Sequence, residues 1–193
     1  EILTLAWATG RVVHIWHCAA DSHNVHDYLF HPYLIEPSGV GYATYAIGWA
    51  SWFDDIHTFK LERITRAELT DEIFEIPKTF NGMELLKTAW NIAYAAPGQE
   101  LETVRLKFAP GRVTRRVKES QWHVSQTIKD TEDDGCILQV KVGHPWEMKP
   151  FIRGWGPDCE VLEPAWLREE IAEEMRKAAE LYDQSVQKTE VSK

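Results

Sequence analysis

Five of the eight histidines fall between His14 and His31, with Cys18 among them. Imidazole and thiolate are the usual zinc ligands, and His23 and His26 stand three apart in a polar stretch, a spacing compatible with chelation. On a strand, however, His14 and His17 point to opposite faces. Neither an H-E-x-x-H nor an H-x-E motif is present. The histidines therefore read as structural, and no metal or cofactor is expected. Nucleophile elbows, phosphate-cradling glycine loops and dinucleotide fingerprints are also missing, and Gly39-Val40-Gly41 is too short to count as one. The carboxylate pairs Glu169-Glu170 and Glu173-Glu174 read as the solvent face of a helix. No catalytic residue emerges, and the chain is read as a protein that is not an enzyme.

A second group of residues could hold an anion. Between Val104 and Lys129 stand seven cations (Arg105, Lys107, Arg112, Arg115, Arg116, Lys118 and Lys129) and one anion, Glu119, although the whole chain carries a formal charge of -9. Such a window is either a solvated surface or a surface for nucleic acid or another anion. Tyr42, Tyr45, Trp49, Trp52 and Trp122 are available for stacking on unpaired bases, though core packing competes for each of them. The acidic average argues against strong non-specific duplex binding, which depends on lysine and arginine against phosphate.

The elements that must position these residues follow from periodicity. The 193 residues suit one large domain or two small ones. No apolar run approaches the roughly 20 residues of a membrane span. The start, Glu1 to Gly10, has no basic leader region, and three widely spaced cysteines form no disulfide framework. A cytoplasmic protein is expected. Ile2 to Trp7 predicts a short helix stopped by Gly10, and Val12 to Cys18 a strand. Phe30 to Ile35 is extended, with Pro32 marking an edge or bulge. In the strand from Tyr42 to Trp49, Ala43, Tyr45, Ile47 and Trp49 share a face. Asp54-Asp55 makes a turn, His57 to Ile64 is a strand, and Thr65 to Phe74 is another. Short strands joined by turns suggest a small β-barrel. Asn81 to Glu84 resembles a capping box for a helix running to about Ala95, and Pro97 to Glu100 is the candidate domain boundary.

The second half alternates. Val104, Leu106 and Phe108 face inward on a strand, so Arg105 and Lys107 face the other way. A helix over 111–119 follows, then strands over 126–130 and 137–142 around the hairpin signal Asp133-Asp134-Gly135. A helix from Trp146 to Trp155, a strand at Glu160 to Leu162, and a last helix with the stripe Leu167, Ile171, Met175, Ala178 and Tyr182 complete it. The order β-α-β-β-α-β is the ferredoxin-like pattern. The expected fold is α+β: a small barrel with flanking helices over 1–97, a ferredoxin-like domain with an extra helix over 101–183, and a flexible tail over 184–193.

From Phe30 to Ile64 the chain resembles the WYL domain of bacterial transcription regulators. That family shows a proline-containing strand, a Trp-Tyr-Leu strand, and an Arg-x-Phe-Arg-Leu-Asp-Arg-Ile strand. The corresponding residues here are His31-Pro32, Thr44-Tyr45-Ala46, and His57-Thr58-Phe59-Lys60-Leu61-Glu62-Arg63-Ile64. The downstream pieces Val104 to Phe108, His123 to Gln126, Asp134-Gly135, Trp155-Gly156 and Val161 to Pro164 resemble the WYL C-terminal extension. The resemblance implies an Sm-like, SH3-type barrel followed by a ferredoxin-like domain, working with a winged helix-turn-helix that reads duplex DNA. No such reader is present in this sequence, so the chain reads as the effector portion.

It also implies ligand contacts at Tyr45, His57, Lys60 and Arg63, to which the basic window adds Arg105, Lys107, Arg112, Arg115 and Arg116. Only Arg63 keeps the family's arginine; His57 and Lys60 replace arginines, and Tyr28 stands where another is common. On an unbroken strand His57 and Arg63 share the Phe59/Leu61 face and Lys60 points away, unless a bulge regroups them. Alternatively Arg63 pairs with Glu62 or Asp54. The expected function is a sensor of single-stranded nucleic acid or a nucleotide-like anion, acting as a homodimer on an attached DNA-binding domain. The alternative is a dimerisation or protein-interaction module without a small ligand.

Overall fold

The computed structural model describes residues 1–38 and 42–190, the side chains of 184–190 excepted. The Gly39-Val40-Gly41 segment and the end of the expected tail, 191–193, lie outside the described residues. The chain forms two compact units, Glu1–Glu84 and Leu85–Lys193, each with one antiparallel sheet. The fold is α+β, with five α-helices among the described residues.

The first unit opens with α1 (Ile2–Thr9), which ends because Gly10 adopts the left-handed conformation (φ 64°), a backbone state that costs glycine little. Five strands follow: β1 (Arg11–Cys18), β2 (Val25–Ser38), β3 (Ala43–Ala50), β4 (Asp55–Lys60) and β5 (Ile64–Ile73). Their order across the sheet is β4-β3-β2-β1-β5. The two edge strands are consecutive in sequence, separated only by a 3-10 turn, Leu61–Arg63. The path from Lys60 to Ile64 can span at most about 14 Å, so the sheet must curl until its edges approach at that end. Pro32 sits at a register shift between β2 and β3, a bulge in the middle of the sheet that relieves the missing N–H donor. Opposite it, a Cβ on Gly48 would fall 1.9 Å from the His31 carbonyl oxygen, so only glycine fits.

Leu3 and Ala6 of α1 pack with Val13, Ile15, Tyr28, Phe30, Ala46, Ala50 and Phe59 as the core. On β3, Ala46 and Ala50 belong to this core, while Tyr45 and Trp49 on the other face are half-buried. Ile47, on the other side, is nevertheless fully buried. One expectation changes here. The predicted strand from His57 to Ile64 is broken by the Leu61–Arg63 turn, because the chain must cross from one sheet edge to the other.

The Asn81 cap is present, its Oδ1 accepting the Glu84 N–H at 3.2 Å, but α2 (Gly82–Leu86) is only five residues long. The Thr88 hydroxyl donates to the Leu85 carbonyl and accepts the Ala95 N–H, local bonds that compete with a helix. Further along, the Glu147 carboxylate accepts the N–H groups of Asn91, Ile92 and Ala93 at 2.9–3.3 Å. The segment after Leu85 is thereby fastened to the second unit, and the division between units falls upstream of Pro97-Gly98.

The second unit contains β6 (Glu102–Phe108), α3 (Arg112–Lys118), β7 (Thr127–Asp130), β8 (Cys136–Val142), α4 (Lys149–Trp155), β9 (Cys159–Glu163) and α5 (Ala165–Glu190). The strand order is β7-β8-β6-β9. Val104, Leu106 and Phe108 are fully buried with Val117 of α3, Ile152 of α4 and Leu167 of α5, so all three helices cover one face. The backbone of α5 continues through Glu190, although its apolar stripe has left the core by Tyr182, 76% exposed.

Candidate functional site

The broken strand changes which side chains meet. Tyr45 and Lys60 are paired across β3 and β4, on the side away from the core. His57 shares the side of buried Phe59, two residues on. The Leu61–Arg63 turn then carries Arg63 round to β1, where His17 is paired with Ile64. His17 was placed opposite His14 by the sequence but not counted as a site residue. It continues the Val13/Ile15 side of β1, and its ring packs edge-on to Phe59 at 5.1 Å. His57 flanks the same Phe59 ring at 4.9 Å. Phe53 stacks on His57 at 3.9 Å with the planes 4° apart, and Tyr28 lies parallel to Phe53 at 5.7 Å.

Two imidazoles and a guanidinium thus gather beside an aromatic stack. Burial first, then the charges of Arg63 and His57, hold the His17 pKa below the ordinary histidine value; burial lowers that of His57. Both rings are neutral at pH 7. The His17 Nε2 atom is buried and has no hydrogen-bond partner. Such orphaned atoms are rare in folded proteins and costly. Among the described residues, neither Glu62 nor Asp54 forms an ion pair with Arg63. Glu62 instead accepts the Thr44 N–H at 3.0 Å; backbone N–H groups, its own foremost, hold its pKa down despite partial desolvation, with Lys60 and Arg63 assisting. Asp54 accepts the Trp49 indole N–H at 3.2 Å. Arg63 itself is exposed.

The basic window of the second unit does not form one surface. Arg105 pairs with Glu163 at 2.8 Å and Lys107 with Asp133 at 2.7 Å, and the Lys107 hydrogen bond is the main reason the Asp133 pKa falls to about 2. Both cations lie on the sheet face opposite the helices. Arg112, Arg115 and Arg116 are exposed on α3, which covers the other face. Arg116 sits 4.9 Å over the Trp155 ring, and Lys118 pairs with Asp130. The alternation that buries Val104 and Leu106 is what separates the two groups. Of the stacking candidates, Tyr42 is 97% and Trp52 72% exposed. Trp122 packs into the core, its indole donating to the Val117 carbonyl.

The histidine-rich strands disperse their ligand atoms. His14 contacts Asp27 at 2.7 Å, His26 lies edge-on to Trp52, and His31 stacks on Phe74. Among the described residues, no three His, Cys, Asp or Glu side chains come together as a metal site. Nor is any helix among them long and apolar enough to cross a membrane.

Comparison with known proteins gives a consistent assignment. Residues 1–69 match the WYL domain and residues 100–179 the WCX domain. No curated protein matches the chain. Among solved structures, "a CRISPR Cas-related protein" is 10% identical with a TM-score of 0.59, over 96% of this chain and 51% of that one. Proteasome accessory factor B/C (PafBC) of Arthrobacter aurescens is 18% identical with a TM-score of 0.37, over 94% of this chain and 26% of that one. The chain therefore spans about half and a quarter of their lengths, and the likeness to the first is one of fold. With a WYL domain followed by a WCX domain along most of its length, the chain belongs to the WYL-domain family.

Proposed function

We propose that this chain is the ligand-sensing region of a transcription regulator, that it binds single-stranded nucleic acid or a nucleotide-like anion at the His17–His57–Arg63 cluster, and that it reports occupancy to an attached DNA-binding domain. The first unit is read as an Sm-like, SH3-type barrel. Its strand order, β4-β3-β2-β1-β5, and its closing 3-10 turn support this. The second is read as ferredoxin-like, supported by the order β7-β8-β6-β9 and the helices on one face.

The observation that carries the functional reading is the orphaned His17 Nε2 beside a guanidinium that forms no ion pair among the described residues. An anion would satisfy both groups at once. The parallel Tyr28–Phe53–His57 rings add a surface on which a base can stack. Within the second unit, Arg112, Arg115 and Arg116 on α3 are a separate, secondary contact for an anion. Tyr45 and Lys60, on the other side of β4, and the ion-paired Arg105 and Lys107 are outlying contacts. Catalysis has no part in this reading, and a cytoplasmic homodimer is its setting.

The test is fluorescence anisotropy with a labelled single-stranded oligonucleotide and its duplex. Tighter binding of the single strand, with affinity lost in Arg63→Glu and kept in Arg176→Glu, an exposed cation of α5 outside the site, is the expected pattern. Equal losses in both variants would assign binding to general charge and defeat the site.

A further inference from the structure

On the other side of the first sheet lies an open cleft of about 290 Å³. Its walls include Tyr33, Trp49, Ile56 and Phe80, and its rim carries Asp54 and Asp55. Phe80 meets Tyr33 edge-on at 5.1 Å, and the turn that places it is closed by the Phe80 N–H donating to the Pro77 carbonyl at 2.9 Å. We propose that this cleft binds an organic cation, an alkyl stem ending in a guanidinium or ammonium group.

Three observations lead there. Aromatic rings present electron-rich faces that attract cations, and guanidinium groups most often. Two carboxylates stand at the rim, and among the described residues no lysine or arginine forms an ion pair with either. His31, which packs on Trp49 at 4.6 Å, adds no competing charge: burial holds its pKa below the ordinary value, although Glu72 pulls it upward. The acceptors are also fixed in place. Asp54 adopts φ 49° in the turn after β3; its N–H donates to the Ala50 carbonyl and its Oδ1 accepts the Trp49 indole N–H. The Asp55 Oδ1 accepts the Ile56 N–H at 2.7 Å. Acceptor carboxylates over apolar walls favour a cation with N–H donors above a quaternary one. An anion is repelled, so this site is chemically distinct from the His17–His57–Arg63 cluster.

The experiment follows the Trp49 indole N–H resonance in 15N-labelled protein, identified by its loss in Trp49→Phe. Titration with n-butylguanidinium or n-butylammonium, at concentrations on the order of millimolar for ligands this small, shifts that resonance to saturation. The size-matched n-butanol does not, and n-butyltrimethylammonium binds more weakly than either. Asp55→Asn and Asp54→Asn each weaken n-butylguanidinium by about five- to tenfold. Asparagine tolerates the left-handed backbone at position 54 and keeps an oxygen for the indole. If Asp54→Asn nonetheless disturbs the turn, Asp55→Asn alone carries the test. Tighter binding of a capped Gly-Arg-Gly peptide than of n-butylguanidinium marks a partner's side chain as the source; the reverse marks a free metabolite. Equal shifts with n-butanol, or unchanged affinity in Asp55→Asn, overturn the proposal.

Discussion

His57 and His17 are where the proposed site would acquire a pH response. His57 stands where the family usually carries arginine, and arginine stays charged at any physiological pH. Burial lowers the His57 pKa in the free protein, so an anion bound against His57, as proposed, would have to raise it. Binding is then strongest below the free-state pKa and weakens as pH rises through the bound-state value. Titrations between pH 5 and 8 should show that decline in the wild type and its removal in His57→Arg, which should also bind more tightly at pH 8. Identical pH profiles for the two proteins would exclude His57 as a contact. His17 has a depressed pKa in the folded state, so its contribution to stability is present above the unfolded histidine value and is lost as pH falls through the folded one. His17→Phe removes both the orphaned Nε2 and that proton uptake. Thermal melts should show stability at pH 7.5 changed by no more than about 1 kcal/mol and a shallower fall toward pH 5. Wild-type acid sensitivity in the variant would assign the effect elsewhere.

Among the elements, the segment from Leu85 to Gln99 has little regular structure of its own. Three consecutive backbone donors, those of Asn91, Ile92 and Ala93, go to one carboxylate, Glu147, in the 3-10 turn Pro145–Met148. Charge-assisted hydrogen bonds to buried donors are worth about 1.5–3 kcal/mol. Glu147→Ala should therefore destabilise the second unit by about 2–3 kcal/mol in urea unfolding, with faster amide exchange at Ile92 and Ala93. A change confined to surface-mutation size, under about 0.5 kcal/mol, would show that water replaces the carboxylate. The capping residues Asn81 and Glu84 were legible in the sequence. The early end of α2 was not, because the partner that takes over the backbone lies more than fifty residues downstream.

At the scale of the whole molecule, a net charge of -9 implies that binding to a polyanion depends on local cations and is sensitive to salt. If about three phosphates of a single strand are neutralised, the log-log salt slope should be about -2, from roughly -0.7 per phosphate. Affinity measured between 50 and 200 mM salt checks this. A flat response would remove phosphate contacts from the interaction, and a much steeper one would mean that more than about three phosphates are neutralised.

The sequence by itself determined the order of elements in both units, the inward face of β6, the hairpin at Asp134 and the cap at Asn81, because each is set by neighbours a few residues apart. It also carried the resemblance to the WYL family. Period-two counting placed His17 beside Val13 and Ile15, so that signal was present, but nothing local tied it to Arg63. Only the tertiary structure decided that pairing. The same counting, extended past Lys60, gives the wrong neighbours for Arg63, because the closing turn is demanded by the curl of the sheet rather than by any residue in it. The basic window failed for a related reason. Adjacency in sequence says nothing about which sheet face a cation occupies, and the packing of α3 on Val104 and Leu106 puts the arginines of α3 on the opposite face from Arg105 and Lys107.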